Sequence, residues 1–142
     1  MDVDGIVPER LRLLRNEVGY LKTERDNVHS FQTYRENIRL KKAVERSLHI
    51  SVEICLDIGR RIIALEGFRY PENNQDVFQI LAEENILSPG LSPTLREMGR
   101  FRNLIVHYYA QIDNARVYSI PKKRLSDFDA FAEAIRAYLE EE

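Results

Sequence analysis

Arg102, His107 and Tyr109 bring a guanidinium, an imidazole and a phenol into one short stretch, Gly99-Arg100-Phe101-Arg102-Asn103-Leu104-Ile105-Val106-His107-Tyr108-Tyr109. Histidine titrates close to neutral pH and can either take or give a proton. Arginine stays charged and forks onto phosphate oxygens. The pair suits cleavage of a phosphodiester by its own 2′-hydroxyl. One group takes the hydroxyl proton, one protonates the leaving 5′-oxygen, and fixed positive charge stabilises the phosphorane between them. RNA carries the 2′-hydroxyl; DNA lacks it and should be inert. This chemistry needs no metal, and the sequence offers no metal-ligating constellation, so neither metal nor cofactor is expected.

The residues must be carried on a helix. Ser92-Pro93 reads as an N-cap serine followed by proline at the first helical position, and the helix should run to about Ile112. At about 100° per residue, Leu95, Met98, Phe101, Ile105, Tyr108 and Ile112 fall on one side and form a core stripe. Gly99, Asn103, Val106 and Ala110 fall opposite. A solvated face normally carries Lys and Glu, so these small, uncharged residues point to close contact with another helix. Arg102 and Tyr109 lie about two turns apart on one flank, and His107 lies roughly 140° around from Arg102. Within one helix the Arg and His diverge. Two copies facing each other about a two-fold axis would line one cleft with both pairs, so a homodimer is expected with Gly99, Asn103, Val106 and Ala110 at its interface.

The remaining chain must supply the scaffold. Its 142 residues fit one domain spanning 1–142, large enough for a hydrophobic core without disulfides or structural metal. The net charge of −2 excludes an overall electrostatic glue for nucleic acid, so RNA contact must be local. The single cysteine, Cys55, sits among Ile54, Leu56 and Ile58 and reads as core packing. Met1-Asp2-Val3-Asp4 lacks the basic residues and apolar stretch of a signal peptide, and no apolar run reaches membrane-spanning length. The expected compartment is the cytoplasm, with no membrane partner.

Helical periodicity appears almost throughout, and strand-like alternation is missing. A first helix is predicted over about Pro8 to Asp26, with Leu11, Leu14, Val18 and Leu21 inward. A second, apolar on two sides and therefore central, is predicted from about Tyr34 to Leu65, stopped by Gly67. A short helix follows over about Gln75 to Asn85. The tail from Asn114 is helical again, with Pro121 kinking or breaking it and Phe128, Phe131, Ile135 and Leu139 inward. The expected fold class is all-α, a bundle of four main helices plus short ones.

The run Arg102-Asn103-Leu104-Ile105-Val106-His107 matches the Arg-x4-6-His motif of the HEPN ribonuclease superfamily, and with Tyr109 it resembles the Arg-x4-His-x-Tyr of the HepT toxins within it. Ala43-Val44-Glu45-Arg46-Ser47-Leu48, Asp57-Ile58-Gly59 and Ser126-Asp127-Phe128-Asp129-Ala130-Phe131 extend the resemblance over nearly the whole chain. It implies the toxin of a type VII toxin–antitoxin pair, a dimeric, metal-independent endoribonuclease acting on tRNA or mRNA. Arg102 and His107 would be catalytic, and an MntA-like nucleotidyltransferase antitoxin would silence the enzyme by adding AMP to Tyr109. The alternative is a HEPN-like module that binds nucleotide or RNA without cutting.

Other residues carry plainer readings. Asn103 either supports the site by hydrogen bonding or closes the dimer. His29 and His49 lack matching partners and read as structural or solvated. Asp57 with Arg61, four apart, reads as an ion pair. Arg60-Arg61 and Lys122-Lys123-Arg124 either guide RNA or are solvated helix ends.

Overall fold

The computed structural model describes residues 5–107 and 114–141, with side chains for 5–103 and 114–141. Among the described residues there are seven helices and no strand: α1 (Ile6–Asn27), α2 (Phe31–Glu36), α3 (Ile38–Glu66), α4 (Asn74–Glu83), α5 (Ser92–His107), α6 (Asn114–Lys123) and α7 (Leu125–Glu141). Four are long, the number of main helices that the periodicity predicts, and three are short. None of them is long and apolar enough to cross a membrane.

α1 buries Val7, Leu11, Leu14, Val18 and Leu21, the expected stripe plus one residue. The central segment differs from expectation. Its apolar pattern reads as one helix from Tyr34, but the chain breaks at Asn37, whose backbone is extended (φ −102°, ψ 96°). The Asn37 side chain accepts from the Leu40 N–H at 3.0 Å and so caps α3. Ser30 caps α2 in the same way, accepting from Thr33 N–H at 3.1 Å. Gly67 ends α3 in the left-handed region (φ 70°), where a side chain would be strained.

α3 is the axle of the molecule and packs against α1, α2, α4, α5 and α6. It is buried on more than one side, through Leu48, Cys55 and Ile62, through Ile54 and Ile58, and through Ile63. Each fully buried aliphatic side chain contributes about 1.5–3 kcal/mol. Cys55 is 1% exposed, and burial raises its thiol pKa far above the ordinary value, so it packs as an apolar group. α4 inserts Phe78 edge-on against Phe131 of α7, ring centroids 6.1 Å apart. Pro121 lies near the end of α6, and the chain leaves helical geometry at Arg124 before α7 begins. Phe128, Phe131 and Ile135 are buried in α7, and Leu139 is half-buried.

Candidate active site

The site is carried by α5, and α4 sets where α5 lies. The helix starts one residue earlier than the N-cap reading of Ser92 predicts. Leu95 N–H already bonds the Leu91 carbonyl at 3.2 Å, so Ser92 is the first helical residue. Its buried hydroxyl donates to the Phe78 carbonyl of α4 at 3.4 Å. Leu95, Met98 and Phe101 are buried, as the wheel predicts. Opposite them stands Gly99, packed against α4. This glycine is buried within the protomer, and a Cβ built on it would lie 3.8 Å from Gln75 Cγ and 3.9 Å from Phe78 Cε2. Both are ordinary van der Waals distances, so α4 of the same chain packs against this glycine with room for a methyl group.

Arg102 is not a free surface arginine. Its side chain is only 16% exposed and pairs through Nε with Glu53 Oε1 of α3. Both atoms are buried and face each other as an ion pair without aligned hydrogen-bond geometry. Nη1 donates to the Asn103 side-chain oxygen at 3.0 Å. These two contacts leave further donors of the guanidinium for an anion. Asn103 is half-buried beside it.

Sequence reasoning left Glu53 out and dismissed His49, and the structure brings both to Arg102. His49 lies one turn before Glu53, with Nε2 3.9 Å from the same Oε1 atom, and Arg46 Nη1 stands 3.5 Å from His49 Nδ1. Burial lowers the His49 pKa, and the nearby Arg102 and Arg46 charges lower it further against the opposing pull of Glu53. Arg46, His49 and Glu53 line one wall of a groove of about 310 Å³ between α3 and α1, and Arg10 and Glu17 line the other. The i,i+4 spacing of His49 and Glu53 is visible in sequence. Nothing local signals that Glu53 will meet an arginine far along the chain.

Of the other expected residues, Val106 and His107 lie in α5, but their side chains fall outside those described. Tyr109 and Ala110 lie outside the described residues altogether. His29 is exposed. Asp57, expected to pair with Arg61, meets Arg60 at 3.5 Å, three residues on. In the basic run before α7, Lys122 and Arg124 make contacts within the chain. Lys122 Nζ donates to the Arg25 carbonyl at 2.7 Å and to the Val28 carbonyl, closing the end of α1. Arg124 pairs with Glu97 of α5 at 3.1 Å. Among the described residues no group of three or more His, Cys, Asp or Glu is placed to hold a metal.

Comparison with known proteins bears on this arrangement. The family model described as "Ribonuclease HepT-like" matches residues 14–135. The mRNA nuclease HepT of Shewanella oneidensis is 29% identical over 104 residues, covering 73% of this chain and 78% of that protein. The tRNA nuclease HepT of Aphanizomenon flos-aquae is 26% identical over 134 residues, covering 94% and 90%. Among solved structures, the tri-AMPylated Shewanella oneidensis HEPN toxin in complex with MNT antitoxin shares the fold at a TM-score of 0.86. Its identity is 24%, with 95% of this chain and 99% of that one covered.

Proposed function

The chain belongs to the HepT-like ribonuclease family, and on that premise we propose that it is the toxin of a toxin–antitoxin pair, a metal-independent endoribonuclease working as a homodimer. The observation that carries this reading is the setting of Arg102, a mostly buried arginine in the motif helix, tethered by Glu53 and Asn103 with donors to spare. A guanidinium held in this way meets a phosphate without the entropy cost of ordering a free side chain.

In the proposed mechanism Arg102 holds a non-bridging oxygen of the scissile phosphate and stabilises the charge that develops on it. His107 moves the protons, from the 2′-hydroxyl or to the leaving 5′-oxygen. The two-fold arrangement supplies a second Arg102 and His107, so separate imidazoles can serve as base and acid. Asn103, Val106 and Ala110 form the contact between copies. The products are a 2′,3′-cyclic phosphate and a 5′-hydroxyl. The substrate is RNA, of the mRNA or tRNA class for which its relatives are named.

Silencing follows from Tyr109. Seven residues separate it from Arg102 in the sequence, a spacing that at helical pitch brings both to one flank, so an AMP group on its hydroxyl would put bulk and negative charge where the RNA phosphate belongs. An MntA-like nucleotidyltransferase antitoxin makes the transfer, and the tri-AMPylated, antitoxin-bound state of a toxin with this fold supports the reading.

The test uses protein whose Tyr109 is free of AMP by mass spectrometry. It is incubated with labelled mRNA and tRNA in EDTA, beside Arg102→Ala and His107→Ala. Cleavage leaving a 2′,3′-cyclic phosphate is expected from the wild type alone, with an all-deoxy copy left intact. If unmodified wild type cuts nothing, the nuclease reading fails and a non-catalytic HEPN-like nucleotide- or RNA-binding module takes its place.

A further inference from the structure

Glu53 presents a carboxylate next to the residue that must receive a phosphate. A negative charge there repels RNA, so its presence calls for a compensating role. We propose that Glu53 is a positioning residue: its carboxylate fixes the Arg102 guanidinium at the angle and depth from which the remaining donors meet the scissile phosphate. This rests on the reading of Arg102 as the phosphate-contacting group.

Three observations carry it. Arg102 Nε and Glu53 Oε1 are both buried, and the two side chains are 16% and 29% exposed, so neither is dispersed into solvent. The carboxylate stands on α3, the helix packed by the most neighbours, between the buried residues Val52 and Ile54. Arg102 therefore takes its place from the helix that packs against the most others and not from its own helix alone. The third observation is the charge pattern along α3. Arg46 and His49 stand beside Glu53 on the same helix, with His49 Nε2 3.9 Å from Oε1 and Arg46 Nη1 3.5 Å from His49 Nδ1. The carboxylate is thus shared between Arg102 and a neighbouring polar row, which limits how far it can follow the guanidinium if a phosphate draws Arg102 outward.

A pair of this kind adds little net stability, because desolvation offsets attraction. Its effect is geometric, and that separates it from a purely structural role. Neutralising Glu53 removes a repulsive charge from the RNA path while loosening Arg102. Binding of RNA should hold or tighten, and turnover should fall.

The experiment compares wild type, Glu53→Gln, Glu53→Asp, Arg102→Ala and the double variant Glu53→Gln/Arg102→Ala, all full-length and AMP-free. Thermal unfolding is recorded for each. An RNA oligonucleotide with 2′-deoxy substitution at the scissile position reports Kd, and its cleavable counterpart reports kcat. Glu53→Gln is expected to bind the uncleavable RNA at least as tightly as wild type and to lose at least about tenfold in kcat. Glu53→Asp, with the charge retained on a shorter stem, should recover part of that loss. Adding Glu53→Gln to Arg102→Ala should cost nothing more, since the two act as one unit. An unchanged kcat in Glu53→Gln overturns the proposal, as does a loss no larger than the fall in folded fraction. Full cleavage by Arg102→Ala alone overturns the reading beneath it, a failure visible without any Glu53 variant.

Discussion

Gly59 of α3 lies directly beneath Val77 of α4. A Cβ on the glycine would overlap Val77 Cγ1 and stand 3.3 Å from Leu81 Cδ1. The two helices touch there because no side chain separates them. The consequence runs to the site. α4 docked on Gly59 receives α5 at Gly99 and Ser92, and α5 returns Arg102 to Glu53, back on α3. The ion pair closes a circuit that begins at a glycine about two turns further along the same helix.

Gly59→Ala should therefore destabilise the protein although alanine is the better helix former. The propensity gain is about 1 kcal/mol. Overpacking a filled core costs about 1–3 kcal/mol, and Val77, β-branched and 0% exposed, is stiff at χ1 and yields little. A net loss of up to about 2 kcal/mol in urea unfolding is expected. Gly19→Ala is the control, because its added Cβ meets nothing within 4 Å on an exposed face of α1. It should gain about 0.5–1 kcal/mol. Equal effects at the two positions would remove the close approach as the explanation.

Lys122 offers a test of role. It holds the Arg25 and Val28 carbonyls at the end of α1 and lies 5.4 Å from the centre of the Tyr118 ring. Lys122→Met keeps the stem and removes the charge-assisted bonds, so stability should fall by about 1–2 kcal/mol in chemical denaturation. RNA cleavage per folded molecule should be unchanged. A drop in RNA affinity at unchanged stability would restore the RNA-guiding role that the sequence left open for this run.

Much of the architecture was legible because it is local. The stripes of α1 and α7, the Gly67 stop and the turn after Pro121 each follow from residues within a few positions of one another. The break at Asn37 was missed because apolar residues continue on both sides of it, and a capping asparagine inside such a pattern looks like any polar helix residue. Arg102 was legible from its spacing to His107. Glu53 was not, since its significance comes from a tertiary contact between helices that the sequence does not pair. Gly99 meets a related limit: a small helical face reveals that a helix approaches, not whether that helix belongs to the same chain.

His49 should make the protein lose stability on mild acidification. Its pKa is lowered in the folded state, by burial first and then by Arg102 and Arg46, with Glu53 opposing. The unfolded chain then binds more protons as pH falls through about 6.5, the ordinary histidine value, and folding is penalised below it. His49→Gln removes this group from the balance. Between pH 7.5 and 5.5 the Tm of wild type should fall more steeply than that of His49→Gln. Parallel slopes would mean that the imidazole accepts its proton in the groove without penalty.

The composite cleft makes a prediction that no single variant can reach. If Arg102 and His107 from both copies face one another across a two-fold axis, a dimer of one Arg102→Ala subunit and one His107→Ala subunit still holds one arginine and one histidine in the shared cleft. Each homodimer lacks one of the two entirely. Unfolding and refolding the two variants together should produce mixed dimers whose cleavage rises well above that of either variant alone, while mixing them without subunit exchange should not. Differently tagged subunits, isolated by tandem purification, allow the mixed species to be assayed directly. Such a dimer would cut more slowly than wild type, because one imidazole must then serve both proton transfers or leave one to water. A purified mixed dimer with no activity would place the Arg and His of each cleft within one subunit, and the two-fold axis would serve assembly only.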